Sequence, residues 1–244
     1  MTTQEEQRLQ RLYQIRDSIN KNSDHVPVWK ELSELLPSIP ITPDKFSNQP
    51  AEFRQGPHAQ NWLYRANFIK PGNRRWDKAV DVSYLPREFW KDAHAFGRVN
   101  KPREGIFYAS LNLFAACVET FTSGPNLEAV RREESVQAVV GQWVVKAPLS
   151  LIRMPVPESA ISFLEAPVIK SLEPSKITPE VIRRQNDHLR EVCNDEFKFK
   201  VLEFFAEAFA HQGDEQYLLS TYYAQRVFNK VEGFRTEMET VDGK

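Results

Sequence analysis

Residues 135–154, SVQAVVGQWVVKAPLSLIRM, constrain the fold of this chain more than any other segment. They have the densest run of β-branched residues in the sequence. Such residues fit a pleated strand better than a helix, because branching at Cβ restricts the side chain against the preceding helical turn. The segment predicts two strands. An all-helical fold is therefore excluded, although helical patterns occur on both sides of it.

The first of these helical patterns lies near the start of the chain. Apolar residues recur there at close to a 3.6-residue period and predict an amphipathic helix over residues 5–20. The stripe consists of Leu9, Leu12, Tyr13, Ile15 and Ile19. A short isolated helix is marginal in water, so this stripe is expected to pack against the main domain or another protomer. A second helix is predicted over residues 28–36, ended by Pro37, and the proline-rich residues 37–50 are predicted to be an irregular connection.

The second helical region follows Pro174. Pro179 suits the first turn of a helix that begins after Thr178, and the apolar patterns of residues 197–210 and 217–231 predict two further helices. With the strands between them, these helices predict the α+β class. Residues 1–58 are predicted to form a helical N-terminal appendage and linker, and residues 59–244 the main domain.

The composition narrows the partners that the chain can have. Lys and Arg number 32 against 33 Asp and Glu, which gives a net charge of −1. Binding to nucleic acid or an anionic membrane usually needs an excess of basic residues, so neither is expected as a direct partner. The two cysteines, Cys117 and Cys193, lie far apart and are expected to be reduced thiols. The expected location is the cytoplasm, and no metal is expected, because the histidines lack ligand spacing.

Residues 97–119 hold the best candidates for chemistry. Gly97 permits a tight turn, Arg98 offers a planar fork of donors, and Tyr108 follows in a short predicted strand, residues 105–110. An apolar helix is then predicted over residues 111–121, and it carries Glu119. A turn, a strand and a returning helix are expected to bring Arg98, Tyr108 and Glu119 into one cleft. The pattern alone also fits a structural Arg–Glu ion pair, and it leaves the function open.

Four motifs, in this order, resemble those of the RES domain, a family named for its arginine, glutamate and serine. They are Tyr64-Arg65 in an early strand, the GRVN turn of residues 97–100, the FYAS strand of residues 107–110, and the helix with Glu119. The order and spacing of the motifs carry the resemblance, which extends over roughly residues 60–230.

The resemblance implies an ADP-ribosyltransferase-like fold, in which a split β-sheet core carries helices. Characterised RES domains destroy NAD⁺ by hydrolysis or phosphorolysis, and many are toxins held by a cognate antitoxin. The expected function is an NAD⁺ glycohydrolase or phosphorylase that releases nicotinamide and acts as a toxin or defence effector. NAD⁺ is the expected substrate, and an antitoxin protein and a second copy of the chain are the candidate protein partners.

The resemblance also assigns roles to individual residues. The catalytic residues are Arg98, Tyr108 and Glu119, and the cofactor-binding residues are Arg65, Asn100 and Ser110. The residue types suit the substrate. Arginine forks match the pyrophosphate, an aromatic face matches the flat nicotinamide, and a carboxylate stabilises the oxocarbenium-like state through which the glycosidic bond breaks.

The serine of the family pattern has no counterpart here. In the family, the helix that residues 217–230 resemble precedes a strand with this serine, but no serine follows Ser220. Ser220 lies inside the predicted helix and Ser110 in an earlier strand, so neither takes the role. A shortened chain, a substitute residue and a degenerate relative all remain open. The alternative function is a catalytically impaired relative that serves as a binding or interaction module.

Overall fold

The computed structural model describes residues 1–20, 22–46, 62–69, 96–104, 106–110, 113, 116, 117, 120, 137–144, 149–164, 178–211 and 214–230. The helices are α1 (Thr3–Ser18), α2 (His25–Leu35), α3 (Glu158–Leu164), α4 (Pro179–Cys193), α5 (Glu196–Ala210) and α6 (Tyr217–Lys230). The strands are β1 (Pro43–Phe46), β2 (Trp62–Ile69), β3 (Gln137–Val144) and β4 (Leu149–Ile152). Helices at both ends flank the strands, so the predicted α+β class is confirmed.

The contacts within the chain divide it into two compact units. The helical unit comprises Met1–Pro43, His94–Pro102 and Ile152–Lys244, and the strand unit comprises Asp44–Ala93 and Arg103–Leu151. The predicted domain boundary at residue 58 lies outside the described residues. In the described part of the chain, no helix is both long and apolar enough to cross a bilayer.

Short polar side chains set the ends of the helices in the helical unit. Thr2 and Glu5 form a capping box at the start of α1, in which each side chain binds the other residue's backbone N–H. Thr178 caps α4, and Pro179 occupies its first turn, as the sequence predicted. Asn194 ends α4 in the left-handed conformation with φ 46°, which asparagine tolerates better than most residues. The next residue, Asp195, caps α5, so two helices follow each other with a short turn.

The core of the helical unit forms where α1 and α2 pack with α5 and α6. The expected burial of the α1 stripe is confirmed, since Leu12 is fully buried in the same cluster as Phe204 and Leu219. Tyr13 meets the Phe204 ring edge-on, with centroids 5.6 Å apart. The residues 1–43 therefore share a core with the C-terminal helices.

An antiparallel pair, β2 with β3, is the framework of the strand unit. Tyr64 faces Gln142 and Arg65 faces Gly141 in its register. On its other edge, β2 forms a single antiparallel bridge between Tyr64 and Ser110. The two backbone hydrogen bonds of this bridge measure 2.7 and 2.8 Å. Strands β2 and β3 were both predicted, whereas the predicted strand of residues 105–110 pairs only at Ser110 in its described part.

Two further expectations met different outcomes. The described residues between 111 and 121 are helical: Leu113, Ala116, Cys117 and Thr120. The prediction of an irregular connection over residues 37–50 was wrong for its middle part, because β1 begins at Pro43 and pairs with β4. Proline suits the first residue of a strand, where its missing N–H removes no ladder bond.

Candidate functional site

The GRVN turn, residues 97–100, belongs to the helical unit. Its Gly97 N–H donates to the Asn100 carbonyl at 3.0 Å, and the Gly97 carbonyl accepts from the buried Thr221 hydroxyl at 2.7 Å. The preceding residue, Phe96, packs its ring against Trp29 with centroids 5.9 Å apart. Contacts to α2 and α6 therefore fix the turn that carries Arg98.

The Arg98 guanidinium lies at the C-terminal end of α5. Its Nη1 donates to the Phe209 carbonyl and, at 3.3 Å, to the His211 carbonyl. Its Cζ lies 5.6 Å from the centre of the Tyr217 ring. A cation is stabilised at the last carbonyls of a helix because these groups are unpaired and carry the negative end of the helix dipole. Arg98 thus anchors a helix end, a structural task that the sequence did not reveal.

Arg65 occupies a different environment in the strand unit. It lies in β2, and its Cζ is 5.5 Å from the centre of the Phe107 ring. Phe107 also meets Trp143 edge-on, with ring centroids 5.3 Å apart. Directly opposite Arg65 in β3 is Gly141, which has no side chain to occupy the space beside the guanidinium. Arg65 therefore lies in an aromatic cluster, opposite a residue without a side chain.

Two polar atoms of this cluster are buried without a partner. They are Nη1 of Arg65 and Nε1 of Trp143, for which no acceptor exists among the described residues. Buried donors nearly always find partners in folded proteins, and one left unsatisfied costs about 1–3 kcal/mol. Both belong to side chains that contact the Phe107 ring, so this cluster is the candidate place for a group that offers acceptors.

The pKa of Arg65 also reflects the absence of a partner for its charge among the described residues. Burial lowers the pKa of the Arg65 guanidinium below its ordinary value, and the nearby Tyr108 opposes the shift. Burial penalises the charged form of a cation, and a neighbouring anion would offset that penalty. Among the described residues, no carboxylate forms an ion pair with Arg65. A negatively charged ligand would therefore be favoured beside this guanidinium.

The remaining predicted residues of the strand unit are placed as follows. Tyr108 is half-buried and close enough to Arg65 to influence its charge. Ser110 pairs with Tyr64, and directly opposed residues share a face of an antiparallel pair. Because successive residues of a strand alternate in direction, Ser110 shares the face of Tyr64 and Arg65 projects from the other. Tyr108 thus acts on the pKa of Arg65, and Ser110 projects from the face of the sheet opposite to the Arg65 side chain.

The other predicted site residues are not joined to this cluster by any described contact. Arg98 and Asn100 belong to the helical unit, where the Asn100 amide donates to the Lys101 carbonyl at 3.3 Å. Glu119 lies outside the described residues. Thr120 donates its hydroxyl to the carbonyl of Ala66 in β2 at 3.0 Å, so the following residue of the chain contacts the strand that carries Arg65. The convergence of Arg98, Tyr108 and Glu119 stays a prediction.

Ser220 and the metal-binding residue types can also be placed. Ser220 is fully buried, and its hydroxyl donates to the Tyr217 carbonyl at 3.4 Å, which agrees with leaving the family's serine role unassigned. Within the described ranges, no three His, Cys, Asp or Glu side chains are grouped so that they could hold a metal ion.

Sequence reasoning missed Trp143 as a member of the site. The residue stands in a β-branched run and has the pattern of a core aromatic. Its unpartnered N–H becomes visible only when the register puts it beside Phe107 and Arg65. The one available signal was Gly141, two residues earlier, since a glycine inside a strand often marks a close approach by a ligand or another backbone.

No family model matches this chain, and the curated proteins and the solved structures that were searched contain no match. The resemblance to RES domains therefore rests on the four motifs and their spacing.

Proposed function

We propose that the chain is an NAD⁺-degrading enzyme of the RES type, with the cluster around Arg65 as the place where the substrate's pyrophosphate binds. The observation that carries this proposal is the half-buried Arg65 guanidinium, whose buried Nη1 has no hydrogen-bond partner and whose Cζ lies over the Phe107 ring, with no anionic partner in the described part of the chain. A pyrophosphate supplies both the negative charge and the acceptors that this group needs. The proposed core of the fold is the split sheet of the ADP-ribosyltransferases.

The proposed reaction breaks the bond between the nicotinamide nitrogen and C1′ of its ribose. Nicotinamide leaves with the bonding electron pair, and an oxygen of water or phosphate forms the new bond to C1′. Glu119 stabilises the positive charge that develops on the ribose and, when water is the acceptor, takes the proton that the attacking oxygen releases. Tyr108 contacts the nicotinamide or its ribose. The candidate partner that controls the activity is an antitoxin protein.

The role proposed for Arg98 is narrower than that of Arg65. Its Nη1 is already engaged by the carbonyls at the end of α5, so any contact to a phosphate would use the rest of the guanidinium. Arg65 has no such competing hydrogen bond in the described residues. The proposal therefore rests on Arg65. The contribution of Arg98 to ligand binding is tested separately with the variant Arg98→Ala.

The test is to incubate the purified chain with NAD⁺, with and without phosphate, and to measure free nicotinamide. Enzymatic release is expected, and Glu119→Gln is expected to lower it by about 10²–10⁴-fold, the usual contribution of a positioned acid or base. Glu34→Gln, at an exposed position of α2, is the matched control and should leave release unchanged.

The outcomes separate the two candidate functions. Release that is insensitive to Glu119→Gln would contradict the assigned chemistry. NAD⁺ that binds without any release would instead support the binding module, for which the cluster around Arg65 is sufficient. An absence of both binding and release would overturn the enzyme and a module that binds NAD⁺.

A further inference from the structure

The aromatic cluster of the strand unit presents two donors from the same face of the sheet. Arg65 faces Gly141, and Leu63 faces Trp143. Opposed residues share a face and every second residue returns to it, so Arg65 and Trp143 project from one side of the strand pair. Both contact the Phe107 ring. The two unpartnered N–H groups therefore belong to side chains that project from one face and contact the same ring.

We propose that Arg65 and Trp143 together form a two-donor subsite for one phosphoryl group, in which Trp143 helps to determine the ligand. The assignment deepens the proposed function and rests on it for the identity of the complete ligand. Trp143 is given a role here that no motif of the sequence assigns to it.

The chemistry of the two side chains defines the ligand class. A guanidinium and an indole offer N–H donors and no acceptor, so a matching group must accept hydrogen bonds at both. The positive charge of Arg65 selects an anion, and Gly141, opposite it in β3, has no side chain. A phosphoryl group presents several acceptor oxygens around one centre, so it can satisfy both donors at once.

A comparison with Trp29 indicates that Trp143 differs from an ordinary core tryptophan. Buried tryptophans usually find a partner for this group. Trp29 of the helical unit follows that rule, because its Nε1 donates to the Leu218 carbonyl at 3.1 Å. Trp143 has no such acceptor among the described residues. The two tryptophans therefore form a matched pair for an experiment.

The experiment is a calorimetric titration of the full chain with pyrophosphate. We expect wild-type protein to bind it and Trp143→Phe to bind it roughly tenfold to a hundredfold more weakly, the usual effect of losing a hydrogen bond to a charged group. Trp29→Phe should retain wild-type affinity. Malonate, a dianion with carboxylates instead of phosphoryl groups, should bind more weakly than pyrophosphate.

A second variant separates the loss of the indole N–H from the loss of packing at the smaller phenylalanine ring. Replacement of Trp143 by 3-benzothienylalanine keeps the shape of the indole and removes its N–H. It should preserve the circular dichroism spectrum and still weaken pyrophosphate binding. Wild-type affinity in this isostere, tighter binding of malonate, or no binding of pyrophosphate to the wild-type chain would each overturn the proposal.

A parallel NAD⁺ titration separates this inference from the proposed function. NAD⁺ binding that does not change in Trp143→Phe would reject the subsite and leave the proposed function standing. Pyrophosphate binding that depends on Trp143, in a chain that neither binds nor cleaves NAD⁺, would support the subsite and reject NAD⁺ as the ligand.

Discussion

The two units differ in whether their buried hydrogen-bond donors have acceptors. In the helical unit, such groups reach backbone carbonyls: Arg98 donates to Phe209, Thr221 to Gly97 and Trp29 to Leu218. In the strand unit, Arg65 and Trp143 have buried N–H atoms with no acceptor among the described residues. The helical unit has a single comparable atom in its described part, Nε of Arg226, but the same guanidinium donates through Nη2 to Pro37 at 2.9 Å.

Two arginines that lie in similar sequence motifs therefore make different contacts in the structure. Arg98 and Arg65 both lie near aromatic residues in motifs that resemble one family. Arg98 donates hydrogen bonds to the carbonyls at the end of α5, and this contact stabilises the fold. Arg65 has a buried N–H with no acceptor among the described residues, and we propose that this donor serves ligand binding. The comparison therefore predicts that stability and ligand affinity respond to different arginines.

The largest effect on stability is expected in the core of the helical unit. Phe204 is fully buried between α1 and the other C-terminal helices. Phe204→Ala should lower the free energy of unfolding by about 3–5 kcal/mol, because the truncation leaves a cavity. Urea unfolding followed by circular dichroism measures the loss. Val192→Ala, at a position 60% exposed, is the control, and a loss below that of the control would show that this core does not carry the unit's stability.

Arg98→Ala is expected to have the next largest effect. It removes the donors at the α5 carbonyls and should lower the free energy of unfolding by about 1–2 kcal/mol. Arg98→Lys should restore part of this loss, since a cation near a helix end remains favourable. The same urea titration applies. Wild-type stability in Arg98→Ala, combined with a loss of NAD⁺ binding, would reverse the roles that we give to the two arginines.

Arg65→Leu, in contrast to Arg98→Ala, is not expected to lower the stability of the fold. The free energy of unfolding of the variant should be no lower than that of the wild-type chain, because a buried charge without an ion-pair partner does not stabilise the fold. Thermal unfolding without ligand measures this. A clear loss of stability would indicate that Arg65 has an internal partner and is not waiting for a ligand.

The smallest effect concerns pH and Glu207 of α5. Burial raises the pKa of its carboxyl above the ordinary value, and the Arg16 guanidinium, 2.6 Å away, opposes the shift. A raised pKa means that the folded state binds the proton more tightly than the unfolded state. The stability due to this carboxyl is therefore greatest below its ordinary pKa and falls as the pH rises through the folded pKa.

Glu207→Gln removes this titration. The free energy of unfolding of the wild-type chain, relative to the variant, should decrease as the pH rises from about 4, near the ordinary pKa of a glutamate, through the raised pKa of Glu207. Urea titrations of both proteins across this range provide the measurement. A relative stability that increases with pH would mean that the attraction of Arg16 outweighs burial.

Among the described elements, helix α3 and strand β1 were missed and the others were predicted, for physical reasons. Thr178 and Pro179 mark the start of α4 through local capping chemistry, and the period of the α1 stripe follows from a single turn geometry. Strand β1 was missed because the prolines around it break any local pattern, and its pairing with β4 comes from residues about a hundred positions away. Long-range pairing leaves little trace in a local window.

The candidate site shows the same limit. Residue types and their order pointed to Arg65, Tyr108 and Arg98, and the first two belong to the strand unit, where Tyr108 influences the pKa of Arg65. The helix-end contact of Arg98 and the unpartnered N–H of Trp143 depend on tertiary structure, so no spacing in the sequence announces them. A motif can propose which residues carry chemistry, but the hydrogen-bond partners decide which of them are still available for a ligand.

The most direct test of the central claim is a calorimetric titration of NAD⁺ into wild-type and Arg65→Leu protein under identical salt conditions. The claim is that Arg65 is held for an anionic ligand. It predicts binding by the wild-type chain and an affinity lower by roughly a hundredfold in Arg65→Leu, with the fold of the variant intact. Equal affinity of the two proteins would contradict it.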